Sequence, residues 1–494
     1  MPVIKMFNYE KTQKRDFETK QWATREEMAR VSSGNMQRDV IFGENASAAF
    51  FEQDKHWETS ISNNVLTFGG TGSGKTESFV LPNLLNHLNC NYVVTDTKGE
   101  ILRRTGEGFV EDGYRLTVLD TVNIKESAGY DPLRYVTSAS DIPSVVAMLM
   151  DGLSPRRNDG RSDVFWNETA DMLVRGVVGI LYQLECADGV YAPGADPTEE
   201  RRYLRMNNVT KLLELIKVTE DRDVKCPLDH LVDALEMGAV SGGGLEPQRD
   251  SYGVRQYRDF RVAADRTLKS ILISVNMCVS KLQTPELQRL FEHDELELDR
   301  IDEGKRFLDI KMSDNDSTYS WLGGIAIKQL FNLAQRKADS RPEGHLARRV
   351  EFVLDEFPNV GRIADFERSI ATVRGRGINF LMCAQSLSQL DGVYGVAAAR
   401  TILDNCDSIV YMGGGSSVET ARYISALCGE SVLGTDHVGA ERTAVDVRGH
   451  VITAGEVGLM PREECLVKVT GMRPFRTKKY FSGNHPNAKR WLRP

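Results

Sequence analysis

Short apolar runs rich in β-branched residues recur at both ends of the chain, while helical periodicity fills its middle. Asn64-Val65-Leu66-Thr67-Phe68 has the composition of a buried strand. The stretch Glu77 to Leu88 comes next, with Phe79, Val80, Leu84, Leu85 and Leu88 at helical spacing. Asn91–Asp96 and Arg115–Asp120 predict two further strands, with a helical Ile101–Gly106 between them. Strands alternating with helical segments imply βαβ units and a parallel sheet. From 137 to 290 the strand-like runs vanish. Helical spacing appears there at Ile142–Met150, Asp163–Gln183, Val209–Val218, Leu228–Met237 and Ala264–Leu282, with loops at Ser154–Asp163 and Gly238–Tyr257. Strand runs return at 306–312, 350–354, 378–384, 408–412 and 465–470, with a helix over Leu322–Lys337. The pattern predicts an α/β fold in which a mostly parallel sheet, flanked by helices and built from 1–136 and 291–494, is interrupted by an all-α insertion at 137–290. Residues 1–60 read as polar chain with a short helix at 24–30.

Between the first strand and its helix lies Gly69-Gly70-Thr71-Gly72-Ser73-Gly74-Lys75-Thr76, a match to G-x-x-x-x-G-K-[ST] at every required position. The glycines let the backbone wrap a polyphosphate with its N–H groups turned inward, and the helix beginning near Lys75 adds unpaired N–H groups and a positive dipole end. Gly70, Thr71, Gly72, Ser73, Gly74, Lys75 and Thr76 are therefore the expected nucleotide-binding set. Lys75 is placed to reach the β- and γ-phosphates, and the Thr76 hydroxyl to ligate Mg²⁺. Val350-Glu351-Phe352-Val353-Leu354-Asp355-Glu356 is an apolar strand ending in two acids, the Walker B arrangement. Asp355 is expected to hold Mg²⁺ through water, and Glu356 to polarise the water that attacks the γ-phosphate. On residues alone, Arg374 in Thr372-Val373-Arg374-Gly375-Arg376-Gly377 reads equally as an arginine finger for a neighbouring subunit or as a solvent-exposed basic turn. Gln385, ending a strand, reads equally as a γ-phosphate sensor or as a strand-terminal cap.

A net charge of −8 argues against a surface that coats nucleic acid throughout, though not against a basic channel or tail. Eight cysteines lie scattered with no C-x-x-C pair, which suggests small core residues in a reducing compartment. No stretch reaches the roughly 20 apolar residues of a membrane span. Met172–Leu184 comes nearest and carries Arg175, so the expectation is a soluble, cytoplasmic chain. Residues 473–494 hold seven Lys/Arg and no acid, with Phe475, Tyr480, Phe481 and Trp491 interleaved. That is either a solvated tail or a contact for nucleic acid or acidic lipid.

Taken as an ordered set, the phosphate loop, Asp96-Thr97-Lys98-Gly99-Glu100, Gly129-Tyr130-Asp131-Pro132-Leu133, Phe165-Trp166-Asn167-Glu168, Asp355-Glu356-Phe357, Arg374-Gly375-Arg376-Gly377 and Ala384-Gln385-Ser386-Leu387-Ser388-Gln389-Leu390 resembles type IV secretion coupling proteins of the TraG/TraD kind over roughly 20–475. The resemblance implies a RecA-like motor domain with an inserted all-α domain, binding ATP and Mg²⁺ and active as a homo-hexamer around a channel. It implies delivery of DNA, bound with a relaxase, or of effector proteins to a type IV secretion channel, at the cytoplasmic face of the inner membrane. It gives Lys75, Glu356, Arg374 and Gln385 catalytic roles, Arg374 as the arginine finger and Gln385 in the family's third motif. Members usually begin with a transmembrane anchor. Here the expectation is either that such a segment has been removed, or that a soluble member borrows a separate anchor from a partner and is a monomer in isolation. An FtsK/HerA-like DNA translocase and a nucleotide-binding recruitment platform with little turnover are the alternatives; an adaptor has no need of Glu356.

Overall fold

Most of the strand runs pair into one sheet. The computed structural model describes residues 22–49, 63–86, 89–153, 161–187, 203–217, 224–238, 250–262, 265–313, 318–415, 417–438 and 443–493. β1 (Asp39–Gly43) and β2 (Ala46–Ala49) form an antiparallel hairpin that periodicity does not predict. Then come β3 (Val65–Phe68), β4 (Asn91–Asp96), β5 (Arg115–Asp120), β6 (Arg306–Lys311), β7 (Val350–Leu354), β8 (Ile378–Ala384) and β9 (Ser408–Tyr411). A second unpredicted hairpin joins β10 (Glu430–Val438) to β11 (Thr443–His450). β12 (Glu464–Val469) and β13 (Phe475–Lys478) complete a nine-stranded sheet of order β13-β12-β9-β3-β8-β7-β4-β6-β5. The run β9-β3-β8-β7-β4 is parallel, and β12 and β13 add antiparallel strands at one edge. Every residue of β3, β7 and β8 is buried, the signature of parallel strands covered on both faces.

The chain divides into two compact units. One comprises Met1–Leu116, Asp302–Asp309 and Ala334–Pro494, and the other Thr117–Ile301 and Ile310–Leu333. The division falls at 116/117 and takes in 310–333, whereas the change in periodicity falls near 137 and 290.

In the first unit, residues 473–493 are neither a solvated tail nor a free basic arm. Phe475–Lys478 is the edge strand β13, and Trp491 is buried edge-to-face on Phe109 with ring centroids 4.9 Å apart. Phe109 also meets Tyr92, Tyr114 and Phe307 at 4.4–5.3 Å, making one aromatic cluster. The arginines find acids: Arg473 pairs with Glu27, Arg476 with Glu464, Arg490 with Asp112, and Arg493 with Glu107 and Glu111. The cause is apolar: burying each large ring stabilises by about 1.5–3 kcal/mol, enough to hold the segment down, and the charges then pair locally.

The second unit is chiefly helical. Its long helix Arg161–Ala187 packs on Tyr252–Arg261, part of which lies where the sequence predicts a loop. Gly179 and Gly253 make the crossing, because a Cβ on either would overlap the other's backbone. Asp229, buried, accepts from Tyr257 Oη at 2.9 Å and Arg261 at 2.9 Å, which fixes helix Pro227–Glu236 to the same helix. The Gly129-Tyr130-Asp131 stretch braces this unit: Gly129 N–H donates to Glu295 at 2.6 Å and Tyr130 Oη to Gln329 at 2.6 Å. The side chains of Phe165, Trp166 and Asn167 lie outside the described residues, and Glu168 is exposed.

Candidate functional site

Parallel strands deliver their carboxyl ends to one edge of the sheet, and the sequence-predicted groups gather there. The phosphate loop follows β3, Gln385 follows β8, and Asp355-Glu356 follow β7. Register aligns these ends, with Phe68 opposite Ala384 and Leu354 opposite Met382. Thr71 and Gly72 form the exposed tip of the loop, and Gly72 and Gly74 take left-handed φ of 72° and 83°. Lys75 Nζ donates to the Gly69 carbonyl at 2.7 Å and pairs with Glu356 Oε1 at 3.2 Å. Thr76 Oγ1 donates to Asp355 Oδ2 at 2.9 Å. The helix opens with a π-turn over Thr76–Val80 before its α-helical Leu81–Leu85, a distortion common at functional sites.

Glu356 sits in the left-handed region, at φ 53° and ψ 51°. For a residue with a Cβ that conformation costs on the order of 1 kcal/mol or more, and it turns the carboxylate back toward Lys75. Burial pushes the Asp355 carboxyl up to about 6; the negative charge of Glu356 adds to this, and Thr76 and Lys75 oppose it. Asp355 Oδ1, Glu356 Oε2 and Ser73 Oγ are buried with no hydrogen-bond partner among the described residues. Unpaired buried oxygens are costly, so three at one place fit a site that takes a polar ligand. A hydroxyl and a carboxylate side by side, Thr76 and Asp355, are the hard oxygen ligands that suit Mg²⁺ shared with phosphate.

Gln385 is half-buried beside the loop; the carbonyl of the preceding Ala384 accepts from Gly69 N–H at 3.1 Å. Arg374 is elsewhere. It is exposed on the turn Arg374–Arg376, just before the amino end of β8. Because β8 runs parallel to β3, Arg374 and the phosphate loop lie at opposite ends of the sheet. Seven residues of β8 separate them, roughly 20 Å at about 3.3 Å per residue, farther than an arginine side chain reaches.

Three features have roles that the sequence reading does not assign. Gly413-Gly414-Gly415, after β9, lies against the loop: Gly70 N–H donates to Gly413 O at 3.2 Å, and a Cβ on Gly70 would overlap the Gly414 carbonyl. Asp96, at the end of β4, accepts backbone N–H groups of Lys98, Glu100 and Leu102 and caps the next helix. Gln389 accepts from Gln385 N–H and donates to Asn359, joining the ends of β8 and β7. The glycine run and an acid just ahead of a helix are the available signals; the Gln389 bond to Asn359 is set by tertiary placement.

The sequence profile of the family described as Type IV secretory system Conjugative DNA transfer matches residues 10–488. A conjugal transfer protein TraG of Escherichia coli is 23% identical over 422 residues, 82% of this chain and 61% of that protein. The chain thus spans less than two thirds of the relatives it matches along most of its length. VirD4 of Agrobacterium fabrum is 33% identical over 106 residues, 22% of this chain and 15% of VirD4. The coupling protein TrwBdeltaN70, in its unbound form, superposes with a TM-score of 0.63 at 16% identity, covering 94% of this chain and 95% of that one. TrwB with a non-hydrolysable ATP analogue superposes at 0.56 and 17% identity, covering 92% and 94%. The fold is RecA-like, and no helix among the described residues is long and apolar enough to cross a membrane. With the match running from residue 10 to residue 488, this chain belongs to the Type IV secretory system conjugative DNA transfer family.

Proposed function

We propose that the chain is the ATP-hydrolysing motor of a type IV secretion coupling protein. The observation that carries this reading is the convergence of Lys75, Thr76, Asp355 and Glu356 at one sheet edge, with buried oxygens of Ser73, Asp355 and Glu356 still to be satisfied. Gly70–Thr76 bind the phosphates, and Thr76 and Asp355 hold Mg²⁺, which supplies neutralisation of phosphate charge. Phosphate competes with Glu356 for the Lys75 ammonium, and the freed carboxylate takes a proton from the attacking water. Gln385 senses the γ-phosphate from the end of β8. Arg374, too far to serve its own loop, reaches a neighbouring subunit's nucleotide in a homo-hexamer. The all-α region 137–290 faces the substrate, DNA bound with a relaxase or effector proteins, and hands it to the secretion channel at the inner face of the membrane.

The test is ATP hydrolysis by wild type and Lys75→Ala, with and without DNA, at rising protein concentration. Turnover that climbs with both variables and vanishes in Lys75→Ala is expected. Flat background in both proteins sinks the motor reading.

A further inference from the structure

Lys479 is 2% exposed, and its ammonium donates to two backbone carbonyls, Ser73 O at 2.8 Å and Arg462 O. Among the described residues no carboxylate pairs with it. Burying an ammonium on carbonyls alone is costly in solvation, and burial lowers its pKa. Ser73 lies inside the phosphate loop, so the cost is spent at the one place where backbone direction matters most. Within a planar trans peptide, C=O and N–H point oppositely. A Ser73 carbonyl held toward Lys479 therefore sends the Gly74 N–H the other way, and that N–H makes no hydrogen bond among the described residues.

The lysine is itself anchored. Its N–H donates to Glu463 O at 2.8 Å. Downstream, Ser482 Oγ donates to Glu77, His485 Nε2 meets Asn86 Oδ1 at 2.8 Å, and Asn487 Nδ2 donates to Leu85 O at 2.9 Å. The segment thus lies along the helix that the phosphate loop opens.

We propose that Lys479 is a positioning residue of the phosphate loop: by holding the Ser73 carbonyl it aims the Gly74 N–H at a bound nucleotide's phosphates, and it ties nucleotide affinity to the docking of residues 475–491. The inference rests on the reading of this loop as a nucleotide site.

Lys479→Met keeps the stem and removes the donor. Titration with a fluorescent ATP analogue and steady-state hydrolysis are expected to show Kd and KM raised about tenfold, with kcat within about twofold, since the loss of one charged hydrogen bond falls on binding. Ser482→Ala, which removes only the bond to Glu77 and leaves the segment held by Lys479, His485 and Asn487, is expected to leave Kd within about twofold. Unchanged affinity in Lys479→Met, or equal losses in both variants, overturns the proposal. Should Lys479→Met not fold, hydrogen exchange on the wild type decides. Nucleotide is expected to slow exchange across 475–486, and no change overturns the proposal. A wild type that binds no nucleotide sinks the site reading as well; binding that is lost in Lys75→Ala but kept in Lys479→Met sinks this inference alone.

Discussion

Gly70 shows how a residue's identity can be legible while its reason is not. The motif demands no glycine at that position, and loop chemistry suggests close approach to phosphate; the structure instead sets it against the Gly414 carbonyl, a backbone some 340 positions away in the sequence. Gly70→Ala is expected to lose about 1–3 kcal/mol of stability and to weaken nucleotide binding, read by thermal melts and analogue titration. Glu356 is similar: the acid is read from sequence, but its left-handed backbone is imposed by the turn after β7. Glu351 carries a different cost. It is wholly buried in β7, with Asn379 Nδ2 donating at 2.8 Å, and burial raises its carboxyl from the ordinary 4.5 to about 7. Between those values the native protein holds a proton that the unfolded chain has lost. Stability is therefore greatest at the acid end of the window and falls as pH rises through it, by about 3 kcal/mol in all. Denaturant melts of Glu351→Gln from pH 4.5 to 8 are expected to lose that slope and to lie above wild type at pH 8.

Elements divide by what surrounds them. β3, β4, β7, β8 and β9 are open to prediction because burial on both faces makes them short and predominantly apolar, and the phosphate loop fixes the connection after β3. The hairpins β1–β2 and β10–β11 carry mixed residues such as Asp39-Val40-Ile41-Phe42-Gly43, whose pairing depends on a partner and not on period. Composition misleads most over 473–493. Seven basic residues in 473–494 read as a solvated tail or a contact for nucleic acid or acidic lipid, yet the few aromatic residues decide the outcome, because a buried Trp491 outweighs arginine pairs that are each worth less than about 1 kcal/mol. Trp491→Ala is therefore expected to cost about 3–5 kcal/mol, measured by urea unfolding, whereas a solvated tail would give no change.

At the scale of the whole molecule, the placement of Arg374 at the far end of β8 turns its proposed role as an arginine finger into a statement about assembly. Arg374→Ala is expected to bind nucleotide like wild type while its turnover falls at least about a hundredfold. Mixing Arg374→Ala with Lys75→Ala is expected to restore part of the activity, since each supplies what the other lacks. Two inactive proteins that stay inactive together remove the shared-site assignment. The first unit is also discontinuous in sequence, and this bears on how the protein is made. β3 leaves the ribosome early, but its neighbours β8 and β9 begin at Ile378 and Ser408. At about 5–20 residues per second the strand that carries the phosphate loop waits on the order of half a minute for a partner on either side. A nascent chain holds a complete motif and no site, so ATP cannot steady the fold until translation has passed the helical region and reached the last of the parallel strands.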